Sequence, residues 1–551
     1  MTTSKKNLLW KSFKGVRKLN TINSDVELGA DNLLNVSLAK EKSGQARSIR
    51  SSGWFNQYTA LGEKIVRLFP ANLSGYRFPN QLLAFTKTTS NINVWLVEDD
   101  SGILETPIKI GAFTLAEDVT DVCMTQFGDR MIVAVAFGSN AVGFLMYSAD
   151  NVDGWIPISS GSLWKSRTEV IYAATEKPVG TITQVVPFGA RLAINGGTRY
   201  VEGGTEYLNG VWLSEAGNPL AFTASYASEA TETSAFFAET GEYVNKLVEY
   251  NGLTAFCRNR SYNIRGSSQN DYVCQPLTAK GVFGNAVFVM NGQCAYVDSY
   301  SNNIFILSNQ IDGTIGVDQP IGDDIQDFLQ GVENVSLNTV GRQVRLLKET
   351  GESLIYDVDI AEWTVERYNK GARAVTFLNK ELFCDGTGTI YQITTDRQAD
   401  SDQIPTSEGF YSYYKTNLIW LDSQTSVKSH IIPLAVVLEP QTNNDFYVRF
   451  ITDRKEIHSA RITKAGFSNL ATYSEDDTVP EDGSKFVSDD NDFSGRVFFS
   501  SAGNDLLVTI DRPPYWRYLQ IEIYTDSPSM EFNISGIEAK QTFITDEQLD
   551  Y

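Results

Sequence analysis

Histidine is the side chain that most often supplies acid–base and metal-binding chemistry near neutral pH, and this chain has only two, His430 and His458. Histidine-rich metal sites and most base-activated nucleophiles are therefore nearly excluded. His430 directly precedes an apolar segment, which favours a strand-end residue over a general base. The sequence contains no P-loop and no strand-linked G-x-G-x-x-G. We predict no catalytic, cofactor-binding or metal-ligating residues, no cofactor and no enzyme activity.

Three acidic segments are candidate sites by composition. Ser148–Trp155 resembles the Asp-box of sialidases, S-x-D-x-G-x-x-W, but its glycine and tryptophan spacing differs and the motif does not recur. Asp323 and Asp324 cannot be called a hydrolase dyad without a separation in space. Asp489–Asp492 offers oxygen ligands suited to calcium but lacks the EF-hand order; a solvated acidic loop is the alternative interpretation.

The cysteines and the net charge narrow the class of protein further. The five cysteines are odd in number and none are spaced as C-x-x-C, which indicates free buried thiols from a reducing compartment. The formal net charge of −21 disfavours tight, sequence-independent binding of nucleic acid. It suits a surface that DNA passes without sticking, although acidic surfaces are also common in soluble proteins. No segment predicts a signal peptide or membrane insertion.

The elements that would position any site are short strands. Val340–Arg367 predicts three strands, with a turn at Gly351 and a second turn at Asp359–Ala361. Comparable pairs of strands recur at intervals on the order of 40–60 residues. The predicted hairpins begin at these residues: Gln81, Arg130, Arg191 (with a second strand from Thr198), Asn251, Gly292, Val340 and Asn379.

This recurrence predicts an all-β fold with a β-propeller, in which each small sheet buries both faces against its neighbours. Unrelated meanders within sandwiches are the alternative. Under the propeller interpretation, Trp363 is expected to be buried between sheets.

Composition changes suggest the domain limits. Residues 1–60 are interpreted as a polar, irregular arm with a first platform strand near Asn32–Leu38; its basic patch, Lys5–Lys18, either docks on an acidic partner or is a solvated tail. Residues 61–396 are the predicted propeller, 397–409 a polar linker, and 410–551 an antiparallel, sandwich-like platform domain. Six longer strands are predicted in that last domain, starting at Tyr411, Ile431, Phe446, Gly495, Tyr518 and Phe532.

The order of several short segments resembles the tail nozzle proteins of short-tailed phages, also called tail hub or packaged-DNA stabilisation proteins. The resemblance is spread over most of the chain. The segments that carry it are Asn32–Val36 with Gly53–Phe55, Val211–Ser214 with Asn218–Pro219, Leu247–Phe256 with Tyr262–Asn263, Ser353–Asp357 with Glu362–Trp363, and Tyr515–Ile521.

The resemblance implies a virion structural protein, located in the tail and assembled in the host cytoplasm. Family members form a six-fold ring below the portal and adaptor, carry tail fibres or spikes, and hold a β-propeller outward on a platform. Their ring continues the channel through which genomic DNA passes and helps to retain it. They have no enzyme activity. Two alternatives stay open at this point: a carbohydrate-binding or depolymerising tail protein built on the same propeller, and a generic interaction propeller.

Overall fold

The structure is a computed structural model of the 551-residue chain. It describes residues 5–10, 12–16, 27–40, 46–51, 54–72, 80–89, 91–99, 102–114, 119–128, 130–137, 142–148, 171–172, 182–195, 199–201, 204–206, 209–219, 221–222, 234–290, 292–309, 315–317, 320–338, 342–367, 373–384, 386–394, 411–420, 429–438, 446–452, 457–462, 486–487, 495–499, 506–510, 518–526 and 530–543.

The N-terminal segment is built from strands. These are β1 (Lys5–Trp10), β2 (Ser12–Val16), β3 (Glu27–Leu34), β4 (Val36–Lys40), β5 (Ala46–Ser51) and β6 (Trp54–Ala60). The interpretation of residues 1–60 as irregular, with a single strand, is therefore wrong. Its predicted strand is split at Asn35, which has φ = 52°, a left-handed conformation that asparagine tolerates better than most residues. The side chain holds that turn by accepting the backbone N–H of Arg367 at 2.8 Å.

The middle of the chain forms short strands. They are β7 (Lys64–Asn72), β8 (Asn80–Lys87), β9 (Asn91–Asp99), β10 (Gly102–Thr114), β11 (Val119–Phe127), β12 (Arg130–Phe137), β13 (Val142–Ser148), β14 (Ile171–Tyr172), β15 (Val185–Phe188), β16 (Arg191–Asn195), β17 (Arg199–Val201), β18 (Gly204–Glu206), β19 (Gly210–Leu213), β20 (Ala221–Phe222), β21 (Phe236–Glu239), β22 (Val244–Glu249), β23 (Leu253–Cys257), β24 (Ser261–Arg265), β25 (Val273–Thr278), β26 (Val282–Met290), β27 (Gln293–Asp298), β28 (Ile304–Asn309), β29 (Ile315–Val317), β30 (Val332–Asn338), β31 (Gln343–Lys348), β32 (Glu352–Asp357), β33 (Glu362–Arg367), β34 (Arg373–Phe377), β35 (Lys380–Cys384) and β36 (Thr389–Thr394). A 3₁₀ turn (Asp323–Ile325) and a one-turn helix, α1 (Gln326–Leu329), precede β30.

Within the described residues, most of these strands form seven small antiparallel sheets of three or four strands, while β14 with β20 and β17 with β18 form two-stranded sheets. We number the seven sheets in chain order: sheet 1 (β7–β10), sheet 2 (β11–β13), sheet 3 (β15, β16, β19, β21), sheet 4 (β22–β25), sheet 5 (β26–β29), sheet 6 (β30–β33) and sheet 7 (β34–β36 with β6). Strands that follow one another in the chain are neighbours in sheets 1, 2, 4, 5 and 6. Sheet 7 takes its fourth strand from the N-terminal side of sheet 1, because β6 pairs with β36.

Six of the seven predicted hairpins are confirmed by the strand pairing. The hairpin predicted from Arg191 and Thr198 is wrong. β16 pairs with β15 and β19, while β17 pairs locally with β18. The turn at Gly351 is confirmed, with φ = 81°.

The first strands of the seven sheets touch one another in cyclic order. β7 contacts β11, and the series continues through β15, β22, β26, β30 and β34 back to β7. A cluster of buried apolar side chains lies between each pair of successive sheets. Strands buried on both faces lose the simple apolar–polar alternation, and β8 is an example, with six consecutive buried residues.

The chain ends contribute jointly to two large sheets. The C-terminal strands are β37 (Tyr413–Thr416), β38 (Ile419–Trp420), β39 (Ser429–Leu438), β40 (Phe446–Thr452), β41 (Ile457–Ile462), β42 (Phe486–Val487), β43 (Gly495–Phe499), β44 (Leu506–Ile510), β45 (Tyr518–Tyr524) and β46 (Asn533–Phe543). The eight-stranded sheet has the order β4-β5-β46-β39-β44-β43-β42, with β1 also on β46. The seven-stranded sheet has the order β2-β3-β37-β45-β40-β41, with β38 also on β45.

All six strands predicted beyond residue 410 are confirmed as strands, but they do not pair among themselves alone. β1 and β5 pair with β46, and β3 pairs with β37. The domain limits at residues 60, 396 and 409 stay predictions.

The large sheets pack against sheet 6 through a close backbone approach. Gly15 of β2 donates its N–H to Glu362 at 3.0 Å. A methyl group at Gly15 would overlap the carbonyl oxygen of Trp363. Trp363 is partly rather than fully buried, so the expectation of burial is met only in part. It packs against the buried apolar cluster that contains residues of sheet 6 and of the large sheets, and its ring centre lies 4.7 Å from that of Tyr356. No helix in the described part of the chain is long and apolar enough to cross a membrane.

Candidate ligand cavity

The two histidines lie in different sheets. His430 is in β39, opposite Thr542 of β46, and His458 is in β41, opposite Phe450 of β40. His430 is therefore a strand residue, as the sequence indicated.

Of the three acidic candidates, only Asp323 and Asp324 lie fully within the described residues. In the Asp-box-like segment, Ser148 ends β13 and residues 149–155 lie outside the described residues, as do Asp489–Asp492. Asp323 accepts a hydrogen bond from the Asn303 amide at 2.5 Å at the start of the 3₁₀ turn. Among the residues that the structure describes, no group of three His, Cys, Asp or Glu side chains is placed to hold a metal ion.

All five cysteines are free thiols. Burial raises the pKa of Cys257 and of Cys294 to about 12, and that of Cys274 to about 11. These thiols therefore stay protonated at neutral pH, and they behave as small apolar residues rather than nucleophiles.

A cavity of about 300 Å³ lies where the first strands of the seven sheets meet. Each of these strands contributes to its wall: β7, β11, β15, β22, β26, β30 and β34. Apolar side chains form part of the lining, with Phe69, Met124 and several valines. The polar side chains that line it are Arg67, Thr183, Gln184, Lys246, Asn285 and Asn334. Concave, mostly apolar pockets with a few convergent polar groups are typical of small-molecule sites.

Arg67 is held in place by a carboxylate on the next sheet. Its Nε and one Nη donate to the two carboxylate oxygens of Asp121, both at 2.8 Å. Burial by itself would lower the pKa of Arg67, but the hydrogen bonds and charge of Asp121 outweigh burial, so the pKa is raised. The charge of Arg67 is therefore permanent and matched by one anion. Planar, two-bond pairing also fixes the direction of the guanidinium.

Lys246 is the second cation of the cavity wall, and its environment differs. It forms no ion pair with any residue that the structure describes. Burial and, second, the nearby charge of Arg67 lower the pKa of Lys246 to about 8, and Cys123 opposes the shift. The ammonium group is thus charged at neutral pH, and no described residue supplies a compensating anion.

Three side-chain amides form a chain along another part of the wall. The Gln184 amide donates to Asn285 at 2.5 Å, and the Asn285 amide donates to Asn334 at 3.3 Å. An amide group has two N–H donors, so the chain leaves further N–H groups for a partner in the cavity. Gln184 is positioned by Asn195, whose side-chain oxygen accepts the Gln184 backbone N–H at 2.8 Å.

Sequence reasoning missed this site entirely. Lys246 and Arg67 each interrupt an apolar run, VNKLVE and KIVRLFPAN. A charged residue at a position that strand periodicity places inward was the available signal. The signal is weak because such residues also snorkel to the surface.

The described lining residues include no Asp or Glu. The cavity therefore lacks the paired carboxylates with which most glycoside hydrolases act.

In comparisons with known proteins, no family model matches the chain, and no curated protein matches it significantly.

Proposed function

We propose that this chain is a virion structural protein, a subunit of the tail nozzle of a short-tailed phage. In this proposal, sheets 1–7 are the blades of a seven-bladed β-propeller, and the two large sheets form the platform that carries it. The observation that carries the proposal is the topology. Both chain ends build the two large sheets, and a cyclic set of small sheets is inserted between them.

The pairing of β6 with β36 supports the propeller. Sheet 7 is completed by a strand from the N-terminal side of sheet 1, as is expected when a ring of blades is closed by strand exchange. Closure in this manner protects sheet edges and ties the first blade to the last. Lys380 of sheet 7 adds an ion pair with Glu98 of sheet 1 at 2.6 Å, across the same junction.

Side chains also join other successive sheets. Asn195 of sheet 3 donates to the Val244 carbonyl of sheet 4 at 2.7 Å, and Asn245 of sheet 4 donates to the Val282 carbonyl of sheet 5 at 2.7 Å. Together with the apolar clusters, these bonds favour a single closed body over unrelated meanders.

The charge supports a role around DNA. A net charge of −21 would repel the phosphate backbone, so a channel wall rich in Asp and Glu lets DNA slide without binding. The proposed assembly is a homo-oligomeric, six-fold ring below the portal and adaptor that carries tail fibres or spikes, in the virion. Such a ring requires heterologous contacts between subunits.

The test is the position of the chain in a reconstruction of the virion tail. A six-fold collar around a channel with a negatively charged wall is the expected result. A peripheral trimeric fibre, or tight binding of duplex DNA by the free protein at physiological salt, would contradict the proposal.

The rival proposal of a carbohydrate-binding or depolymerising tail protein is tested separately. We expect purified protein to hydrolyse no capsular or lipopolysaccharide glycan, because the cavity has no carboxylate pair among its described residues. Measurable turnover that disappears when one carboxylate is neutralised would favour the rival.

A further inference from the structure

We propose that the cavity at the meeting point of the seven sheets binds a small oxyanion, either a carboxylate or a phosphate, through the ammonium group of Lys246. The proposal concerns the cavity alone, so it holds or fails independently of the proposed place of the chain in a phage tail.

The charge of the cavity wall is the first argument. Two cations line it, and the structure places no carboxylate among the described lining residues. Asp121 compensates one of the two cations by a two-bond pair with Arg67. Among the described lining residues, one positive charge is therefore in excess, at Lys246, whose side chain is only partly exposed. A bound anion would neutralise this charge and would repay part of the solvation that partial burial removes.

The hydrogen-bond donors of the wall are the second argument. Three side-chain amides supply donors: Gln184 just before β15, Asn285 of β26 and Asn334 of β30. Hydrogen bonds between these amides hold them in a row. Asn334 is the last acceptor of this row. None of the hydrogen bonds between described residues uses the N–H groups of its side-chain amide. Asp121 takes only two of the five guanidinium donors of Arg67. An oxyanion accepts several hydrogen bonds at once, so it matches a wall of donors.

The volume sets the size of the ligand. A cavity of about 300 Å³ lies at the lower end of the range for small-molecule sites. Inorganic phosphate or a short-chain carboxylate fits it, whereas a folded partner does not. Valines among the lining residues suit the short aliphatic chain of a carboxylate. Inorganic phosphate has no such chain, so an experiment can distinguish the two kinds of oxyanion.

The charge on Lys246 makes binding depend on pH. The titratable groups that line the cavity beside it are Arg67, Cys123 and Cys384, and Asp121 is bound to Arg67. Burial raises the pKa of Cys123, so this thiol is neutral throughout the working range. The pKa of Lys246 is lowered to about 8 by burial and by Arg67. Affinity should therefore be full below pH 7 and fall as pH rises through 8, because the amine loses its charge.

The experiment is isothermal titration calorimetry of the full chain with phosphate and, separately, with butyrate, at pH 6.5 and pH 9.5. We expect both anions to bind at pH 6.5. For butyrate, which is ionised at both pH values, binding should weaken roughly thirtyfold at pH 9.5, because the protonated fraction of the amine falls about thirtyfold 1.5 pH units above a pKa of about 8. Repeating the titration near pH 8 in buffers of different ionisation enthalpy should show proton uptake, because a bound anion raises the pKa of Lys246.

Lys246→Met keeps most of the length of the side chain and removes its charge, and it should weaken binding at least about tenfold. Lys64→Met is the matched control, since Lys64 is an exposed lysine of β7 and should leave affinity unchanged. If Lys246→Met does not fold, Asn334→Ala tests the same wall and should weaken binding.

Melting temperatures with and without ligand provide a second readout. Because phosphate stabilises most proteins non-specifically, these temperatures are compared between variants at equal salt concentration. Binding of phosphate alone or of butyrate alone identifies the source of the oxyanion, and binding of both supports the class. The absence of binding by either, or equal affinity in Lys246→Met and in the wild type, would overturn the proposal.

Discussion

Arg345 offers a prediction whose magnitude the structure defines closely. The guanidinium lies between sheets 6 and 7 with a side chain that is only 4% exposed. It donates to both carboxylate oxygens of Glu381, at 2.7 and 3.0 Å, and to Glu366 at 2.6 Å. It also lies 5.1 Å from the centre of the Phe383 ring. One cation thus satisfies two nearly buried carboxylates on neighbouring sheets.

Arg345→Met keeps most of the apolar stem and leaves both carboxylates without their cation. Breaking a buried ion pair from one side costs about 3–5 kcal/mol, because a charge stays buried without compensation. Arg367→Met is the matched control from the same sheet. Arg367 pairs with Glu352 at 2.7 Å, but its side chain is 55% exposed, so its loss should cost no more than about 1 kcal/mol.

Backbone hydrogen exchange, read by mass spectrometry for peptides of β31 and β35, is the assay, because it reports local opening free energy. The Arg345→Met variant should lose protection by about 10²–10⁴-fold, and Arg367→Met by less than about tenfold. Adding Glu381→Gln to Arg345→Met should restore part of the loss, with a coupling energy of about 0.5–3 kcal/mol. Equal losses for the two arginine variants would refute the idea that this cation joins the sheets.

Three further predictions concern packing, docking and pH. Trp212→Ala should lower the free energy of unfolding by about 3–5 kcal/mol, since Trp212 is fully buried. Trp363→Ala should lower it by about 1–3 kcal/mol, because Trp363 is only partly buried. The reverse ranking of their denaturant midpoints would contradict the observed packing. Gly15→Ala should lower the free energy of unfolding by about 1–3 kcal/mol and should increase proteolysis at β2 and at β33, the two strands that approach at this glycine. Gly386→Ala is the control, because its added methyl meets only a lysine side-chain atom 3.9 Å away, and it should change neither property. Hydrogen bonds from the backbone N–H groups of Ser268 and Ser267 lower the pKa of Asp271 to about 2, from its ordinary 3.8. The stability that results is complete above about pH 4 and is lost as the pH falls towards 2. Melting curves of Asp271→Asn should therefore lack that pH dependence.

The hairpins were predictable from the sequence because their information is local. In Val340–Arg367 the apolar alternation, the glycine at Gly351 and the aromatic pair Tyr356 and Trp363 all lie within one short segment. Cross-strand pairing between sequential strands then follows from a tight turn alone. The same reasoning identified the six C-terminal strands, and the scarcity of histidine already excluded most acid–base sites.

Pairing between distant segments was not predictable, because it depends on contacts that leave no local pattern. The segment from Arg191 to Val201 reads as a hairpin, yet β16 prefers β19, and Trp212 on that strand becomes one of the largest fully buried side chains. Likewise the polar composition of residues 1–60 suggested an arm, although β1 and β5 pair with β46 near the other end of the chain. The energy of those pairings comes from burial in a shared core, which composition does not show.

The cavity shows most clearly the difference between what the sequence determines and what the tertiary structure decides. Arg67, Lys246 and Asn334 are single polar residues in three separate strands, and each alone is compatible with a snorkelling side chain at a surface. The sequence by itself determined most of the strands and their turns, because that information is local. Only the tertiary structure brings the first strands of seven sheets together. That arrangement places isolated polar residues in one wall, where no described carboxylate compensates the charge of Lys246.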